Sequence, residues 1–285
     1  MKTSALITIY FPDETVFDNV RRVASQVDSV FLCDNSPSEN KELFANIDNV
    51  VYFWFGKNLG LSKAFNSILK QSDLFSDDDF IIFFDQDATI SEKHIESLRS
   101  EYINLAKLGY DVGCLNAVYF DPRTNSLEIP KRKKYLTSNT FCVKQTMTDS
   151  MLCKYSDLKN VGFWNEDIFL DYADWELCWR FVKMKKLCCM TTIISFNHVG
   201  GKGIKKIGFF KGTISVPFRQ YYQTRDALYV LRYDYVSLYM RIKFINSLTV
   251  KNFFRILFLN SRKQRIHFIK KGFVDFLKNV HGELA

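Results

Sequence analysis

Apolar residues along the chain fall into two alternating patterns. Short, nearly unbroken apolar runs stop at Asp, Asn or Pro. Between them lie stretches in which apolar positions recur every three or four residues. The runs ALITIYF (5–11), SVFLCDNS (29–36), NVVYFWF (49–55), FIIFFDQD (80–87) and VGCLNAVYF (112–120) predict buried strands. TVFDNVRRVASQV (15–27), with Val16, Val20, Val23, Ala24 and Val27 at helical spacing, predicts a helix, as do 39–46 and LSKAFNSILKQS (61–72). SEKHIESLRSEYINLAKLG predicts another, capped by Ser91 and stopped by Gly109. Strands alternating with helices imply an α/β fold, a Rossmann-like, mostly parallel sheet with helices on both faces.

Beyond residue 120 the pattern loosens. Residues 121–135 read as a polar, basic hairpin or loop, and 136–155 as β-rich. In GFWNEDIFLDYADWELCWRFVKM (162–184) a helix beginning near Tyr172 would turn Leu177, Phe181 and Met184 to the core. CCMTTIISFNHVGGKG (188–203) is a strand running into His198 and a glycine-rich turn. From Arg219 to Arg265 the chain reads as helical, aromatic and basic. The expected organisation is one domain over 1–215, in two parts (1–120 and 121–215), followed by a helical basic region (216–285).

Charge is distributed unevenly. The net charge is +8, and residues 241–285 hold ten Lys/Arg against Asp275 and Glu283, so the rest of the chain is neutral. Such a tail suits an anionic membrane surface or a nucleic acid. Its amphipathic helical pattern favours the bilayer over the nucleic acid; homodimer formation is the other use open to it. The seven cysteines include no C-x-x-C pair and read as reduced core residues of a cytosolic protein. MKTSALITIYF reads as a strand rather than a signal peptide, and no run of apolar residues is long enough to span a membrane. The expected location is cytoplasmic, at the inner face of a plasma membrane.

Candidate chemistry collects at the strand ends. Pro12-Asp13, Asp34-Asn35, Asn58 and Asp85-Gln86-Asp87 all fall beyond the carboxyl ends of predicted strands, where open α/β sheets bind ligands. In an extended chain Asp85 and Asp87 point to the same side. Two unpaired carboxylates there would repel, and a divalent cation would relieve them. Asp171, Asp174 and Glu176 gather near a helix start beside Trp175 and Trp179, which suits either helix capping or a general base on a sugar-binding face. His198, a strand-end imidazole, would join a carboxylate on Mn²⁺ more readily than on Mg²⁺, or be structural. GGKGIKKIG (200–208) is either a solvated loop or a basic flap over a diphosphate.

The pieces ALITIYFPD, LCDNSPSEN, KNLGLSKAFN, FFDQDA, GFWNEDIFLDYADWELCWR, HVGG and RQYYQTRDALYV occur in this order. Together they resemble the family 2 glycosyltransferases of the GT-A fold, especially the bacterial rhamnosyltransferase-like branch. The resemblance implies that Tyr10, Asp34, Asn58, Lys63, Asp85 and Gln86 meet the nucleotide, and that Asp87 and His198 hold Mn²⁺ or Mg²⁺. It implies that Asp174 is the catalytic base and that Asp171, Trp175 and Glu176 place the acceptor. Lys202, Lys205, Arg219, Tyr222 and Arg225 would serve the diphosphate and its lid, although the branch carries Arg-Asn where this chain has Arg225-Asp226. The implied reaction is an inverting transfer, best matched by L-rhamnose from dTDP-rhamnose, with UDP-hexose or UDP-galactofuranose as alternatives. The acceptor would be a saccharide or lipid-linked saccharide in surface polysaccharide synthesis. Two rivals use the same residues. IIFFDQDAT fits the opening motif of haloacid-dehalogenase-like phosphatases, with Asp85 as nucleophile, although three strands precede it and no later Gly-Asp-Asp-type motif follows. A non-enzymatic nucleotide-binding protein is the second.

Overall fold

The computed structural model describes residues 1–198, 204–207, 210–213 and 216–284, with the backbone course alone for 204–207 and 210–213. The first half follows the alternation of the sequence: β1 (Thr3–Ile9), α1 (Glu14–Ala24), β2 (Ser29–Asp34), β3 (Val50–Trp54), α2 (Gly60–Leu69), β4 (Phe80–Asp85), α3 (His94–Lys107) and β5 (Val112–Asp121). Next come β6 (Ser126–Glu128), β7 (Lys134–Tyr135), β8 (Thr140–Val143), β9 (Met151–Lys154), α4 (Tyr155–Asn160), α5 (Ala173–Lys183) and β10 (Leu187–Asn197). A hairpin of β11 (Ile204–Ile207) and β12 (Phe210–Thr213) precedes α6 (Arg219–Val230), α7 (Leu238–Asn246), α8 (Asn252–Phe258) and α9 (Arg262–Leu277).

The main sheet has ten strands in the order β3-β2-β1-β4-β9-β5-β10-β8-β7, with β6 on β5. β3, β2, β1 and β4 are mutually parallel, and β10 runs parallel to β5. β9 is inserted antiparallel between β4 and β5. Its amino end therefore lies beside the carboxyl end of β4, where Ser150 N donates to Phe83 O at 2.9 Å. Alternate residues of the parallel strands enter two separate apolar layers. Leu6, Phe31 and Phe83 pack with Phe65, Trp164, Leu177 and Phe181 on one face. Ile7, Leu32 and Ile82 pack with Val20, Leu98 and Leu105 on the other. Burial on both faces is why these strands read as apolar runs rather than as alternating patterns.

Local signals set some boundaries and miss others. Asp13 caps α1 by accepting from Val16 N at 3.1 Å. The expected cap of α3 at Ser91 is corrected, since the helix starts at His94 and Ile95 N donates to Gln26 Oε1 at 3.2 Å. A side chain from the end of α1 does the work there, and local sequence does not reveal it. The segment expected as a helix over 39–46 is a single 3₁₀ turn, Lys41–Phe44. Leu177 and Phe181 enter the core as expected, but Met184 is 42% exposed just past the end of α5.

The C-terminal helices pack onto this body. Ala227, Val230, Met240 and Phe244 share the buried cluster of Leu177 and Phe181. α6 and α9 approach closely at Gly272, where a Cβ would meet Tyr221 O at 2.7 Å. Tyr221 Oη donates to Asp275 Oδ2 at 2.8 Å across the same contact. Among the described residues no helix is long and apolar enough to cross a membrane.

Candidate functional site

The carboxyl ends of β1 and β4, the start of α5, the end of β10 and one face of α6 enclose a cleft of about 1170 Å³. Tyr10, Asn58, Asp85, Gln86, Asp87, Asp171, Asp174, Trp175, His198, Arg219 and Tyr222 all line it. The structure thus brings together most of the residues singled out in the sequence. Parallel register explains the first group, because Thr8 of β1 pairs with Asp85 of β4. Gln86 Oε1 accepts from Tyr10 N at 2.7 Å and ties the two strand ends together. Asn58 Oδ1 accepts from Gly60 N at 2.9 Å and shapes the entry to α2. Gly60 has φ of +76°, and a Cβ there would lie 2.6 Å from Phe169 Cδ2, so α2 and the segment before α5 can close on each other only at glycine.

Asp149, two residues before the antiparallel β9, is the residue that sequence reasoning missed. It is fully buried, and its Oδ1 accepts from Asp85 N at 2.6 Å. Its Oδ2 lies 3.0 Å from His198 Nδ1. Ligand atoms of Asp87, Asp149 and His198 lie within 4.8 Å of one another. Apart from this contact with each other, Asp149 Oδ2 and His198 Nδ1 are buried without a hydrogen-bond partner. Adjacent ligands on a small octahedral cation are about 3 Å apart, so two orphaned atoms at this separation fit a divalent ion.

The titration of the cluster agrees. Burial, then the charges of Asp149 and Asp87, push the Asp85 carboxyl well above its usual range. Burial and Asp149 raise Asp87. Burial pulls His198 down, but Asp149, Asp87 and Asp85 outweigh it and hold the imidazole above its ordinary value. All three shifts favour the protonated forms, which is the conflict anticipated for Asp85 and Asp87.

The facing wall is built differently. Tyr172, at φ of +76°, turns the chain into α5 and sets Asp174 in its first turn, where Asp174 Oδ1 accepts from Trp175 N at 2.8 Å. Burial, the main cause, raises the Asp174 pKa to about 7. Asp171 is bound by Arg219, at 3.0 Å to Nη2 and 3.2 Å to Nε. Tyr222 stacks on Phe169 with centroids 4.8 Å apart, and its Oη accepts from Leu284 N at 2.9 Å. Arg255 of α8 and the Asp121–Arg123 ion pair (2.7 Å) also line the cleft, and neither was expected.

Four expected residues lie elsewhere. Asp34 is fully buried, and its carboxylate is taken up by Ser36 N, Asn40 Nδ2 and Tyr52 Oη, which fold the loop after β2. Lys63 is exposed on α2 outside the cleft lining. Glu176 is fully buried, bound by Arg180 and by Tyr235 Oη, so it braces α5 rather than meeting an acceptor. Arg225 is fully buried and donates to Asp226 Oδ1 (3.1 Å), Tyr221 Oη (3.0 Å) and Gly282 O (2.7 Å), locking α6 to the C-terminal segment. Asp226, the departure from the branch pattern, supplies the counter-charge. Lys202 lies outside the described residues, and Lys205 lies on β11, whose side chains are likewise outside them.

The sheet and its cleft are those of a GT-A glycosyltransferase. The chain belongs to glycosyl transferase family 2, whose family profile matches residues 4–156. It is similar to the dTDP-rhamnosyl transferase RfbF of Shigella flexneri, at 29% identity over 248 residues, covering 85% of this chain and 82% of the relative. Among solved structures it resembles Staphylococcus aureus TarS (residues 1–349) in complex with UDP-GlcNAc, with a TM-score of 0.59 at 15% identity over 98% of this chain and 82% of that one. It also resembles GalNAc-T7 with UDP, GalNAc and Mn²⁺, with a TM-score of 0.55 at 10% identity over 98% of this chain. The chain spans 57% of the length of GalNAc-T7. Membership of this family removes the phosphatase reading of IIFFDQDAT.

Proposed function

We propose that the protein is an inverting, metal-dependent glycosyltransferase that moves L-rhamnose from dTDP-rhamnose to a hydroxyl of a saccharide or lipid-linked saccharide in bacterial surface polysaccharide synthesis. The observation that carries the reading is one cleft with the Asp87–Asp149–His198 cluster on one wall and Asp174 on the other. The name of the Shigella relative supports the donor; a UDP-hexose or UDP-galactofuranose is the alternative donor.

In this reading Tyr10, Asn58, Asp85 and Gln86 seat the nucleotide at the strand ends. Asp87, Asp149 and His198 hold Mn²⁺ or Mg²⁺, which when bound supplies positive charge for the departing diphosphate. Asp174 accepts the proton of the acceptor hydroxyl as its oxygen bonds to the anomeric carbon and the bond to the diphosphate breaks. A single displacement inverts that carbon, and one base is enough. Trp175 offers its ring to the acceptor sugar, and Arg219 is held in place by Asp171. The basic C-terminal helices rest on the inner face of an anionic membrane, where a lipid-linked acceptor is carried; no nucleic acid is needed, and a homodimer would use the same surface.

The deciding experiment is a thermal-shift screen of dTDP, UDP, GDP and their sugars, each with Mn²⁺ and with chelator. Stabilisation by dTDP-rhamnose that chelator removes is the expected result. A preference for a UDP-sugar would change the donor, and no shift with any nucleotide would sink the transferase reading.

A further inference from the structure

This inference rests on the acceptor half of the reading above. α7, a π turn (Ser247–Lys251) and α8 form one continuous helix from Leu238 to Phe258 beside the cleft. A π turn holds one residue more than α-helical winding allows. With that residue left out and 3.6 residues per turn, Lys243, Lys251 and Arg255 fall within about 40° of one another around the axis. The exposed Leu238, Ile242, Ile245, Val250, Phe253 and Leu257 gather on the opposite side, within about 80°. The inserted residue thus brings the three cations to one side and these six apolar side chains to the other, with exposed Tyr239 and Phe258 beside the cations.

The cationic face borders the cleft. Arg255 lines it, and Lys243 Nζ lies 4.8 Å from the ring centroid of Trp175, which also lines it. Arg255 Nη1 donates only to neutral groups, Gln223 Oε1 at 3.0 Å and Asn252 Oδ1 at 3.2 Å. The carboxylate that acts on Arg255 from a distance, Asp171, is already bound by Arg219. Burial, then Lys243 and Arg255, depress the Lys251 ammonium. Among the described residues none of these three cations is in an ion pair. Partly buried like charges without counter-ions are costly, and an anion carrying more than one charge would relieve all three.

We propose that Lys243, Lys251 and Arg255 bind the phosphate or diphosphate of an acceptor carried on a membrane lipid. The other face of the same helix identifies the source. Residues 238–274 contain nine Lys/Arg and no Asp or Glu, and their exposed apolar side chains suit the headgroup boundary of an anionic bilayer. With that face in the bilayer, the cationic face stands at headgroup level at the cleft mouth. A soluble phosphosugar would leave the apolar face without a role.

The test uses the full chain with its donor side filled by dTDP and Mn²⁺, into which farnesyl diphosphate and pyrophosphate are titrated separately. Farnesyl diphosphate should bind without displacing dTDP, and more tightly than pyrophosphate. The double variant Lys251→Gln/Arg255→Gln should weaken it about tenfold or more while dTDP affinity holds. Arg255→Lys should recover part of the loss, and matched unfolding midpoints would show that the variants fold. Competition between farnesyl diphosphate and dTDP, or a variant that weakens dTDP instead, would assign the cations to the donor and overturn the proposal. Pyrophosphate binding as tightly as farnesyl diphosphate would overturn the lipid source. A variant that loses only phosphatidylglycerol vesicles, with farnesyl diphosphate unaffected, would reduce the cations to membrane attraction. If no nucleotide binds at all, the transferase reading fails, and the farnesyl diphosphate titration of the free protein still decides this proposal.

Discussion

The two walls of the cleft solve opposite electrostatic problems. On the sheet side, three carboxylates (Asp85, Asp87 and Asp149) converge with one imidazole. Neighbouring backbone fixes them there, because each stands at or beside the end of a strand in the sheet. On the helical side, charge is held by side-chain ion pairs: Asp171 by Arg219 of α6, Glu176 by Arg180 one turn along α5, Asp226 by its neighbour Arg225. The first wall has an excess of negative charge that calls for a cation. The second pairs its other acids internally and leaves Asp174 as an unpaired carboxylate in a buried setting. In a transfer reaction the first arrangement suits stabilising a leaving diphosphate, and the second suits a base held near neutrality.

Removing the sheet-side charge gives the largest expected effect. Asp149→Asn keeps the shape but loses a ligand charge, and transfer should fall about a hundredfold or more with weaker Mn²⁺ activation. The measurement is rate against Mn²⁺ concentration; an unchanged metal curve would remove Asp149 from the cluster. The helical wall breaks differently. Asp174→Asn should lower transfer by a factor of about 10² to 10⁴ with donor affinity intact. Because the base must be ionised, wild-type kcat should rise through the Asp174 pKa of about 7 and level off above it, and the variant should lose that rise. Stability runs the other way. The folded pKa is raised above the unfolded one, so the contribution of this group is full below about pH 4 and is lost as pH climbs to about 7. The Asn variant should therefore gain Tm relative to wild type over that interval, which pH-resolved melts would check.

The sheet wall was the more legible of the two, for a physical reason. Parallel strands buried on both faces announce themselves as apolar runs, and their carboxyl ends face one side, so Asp85, Gln86 and Asp87 could be placed together from spacing alone. Asp149 could not, because nothing local shows that β9 inserts antiparallel between β4 and β5 and carries the acid two residues before it to the same spot. Once β9 is known to oppose β4, the acid before MLCK becomes a candidate. On the helical wall the acids of FLDYADWEL were seen, but their division was not. Asp174 and Glu176 are two residues apart on a helix and point in different directions, Asp174 to the cleft and Glu176 to Arg180 and Tyr235. Arg225 resembled a ligand residue and proved to be a tether, because its partner Gly282 lies 57 positions away.

That division makes Glu176 the next test. Glu176→Gln leaves Arg180 without its counter-charge in a buried site and should cost about 3 kcal/mol or more of stability. Acceptor KM in the folded fraction should stay near the wild-type value. A selective rise in acceptor KM at unchanged Tm would return Glu176 to the binding surface.

The smallest expected effect separates a residue near the sheet wall from one on it. Lys63 follows the turn that carries Asn58, and its charge is of the sign a diphosphate would want. Its side chain is nevertheless exposed on the outer side of α2, and its charge acts on Glu166, which Lys70 and Asn66 already hold. An exposed charge across solvent is screened within about 8 Å at physiological salt, and exposed pairs contribute on the order of 0.5 kcal/mol. Lys63→Gln should accordingly leave the affinity for dTDP with Mn²⁺ within about twofold of wild type by calorimetry. A tenfold loss that persists at high salt would mean that α2 turns Lys63 inward when donor binds, and the sheet wall would then include a cation of its own.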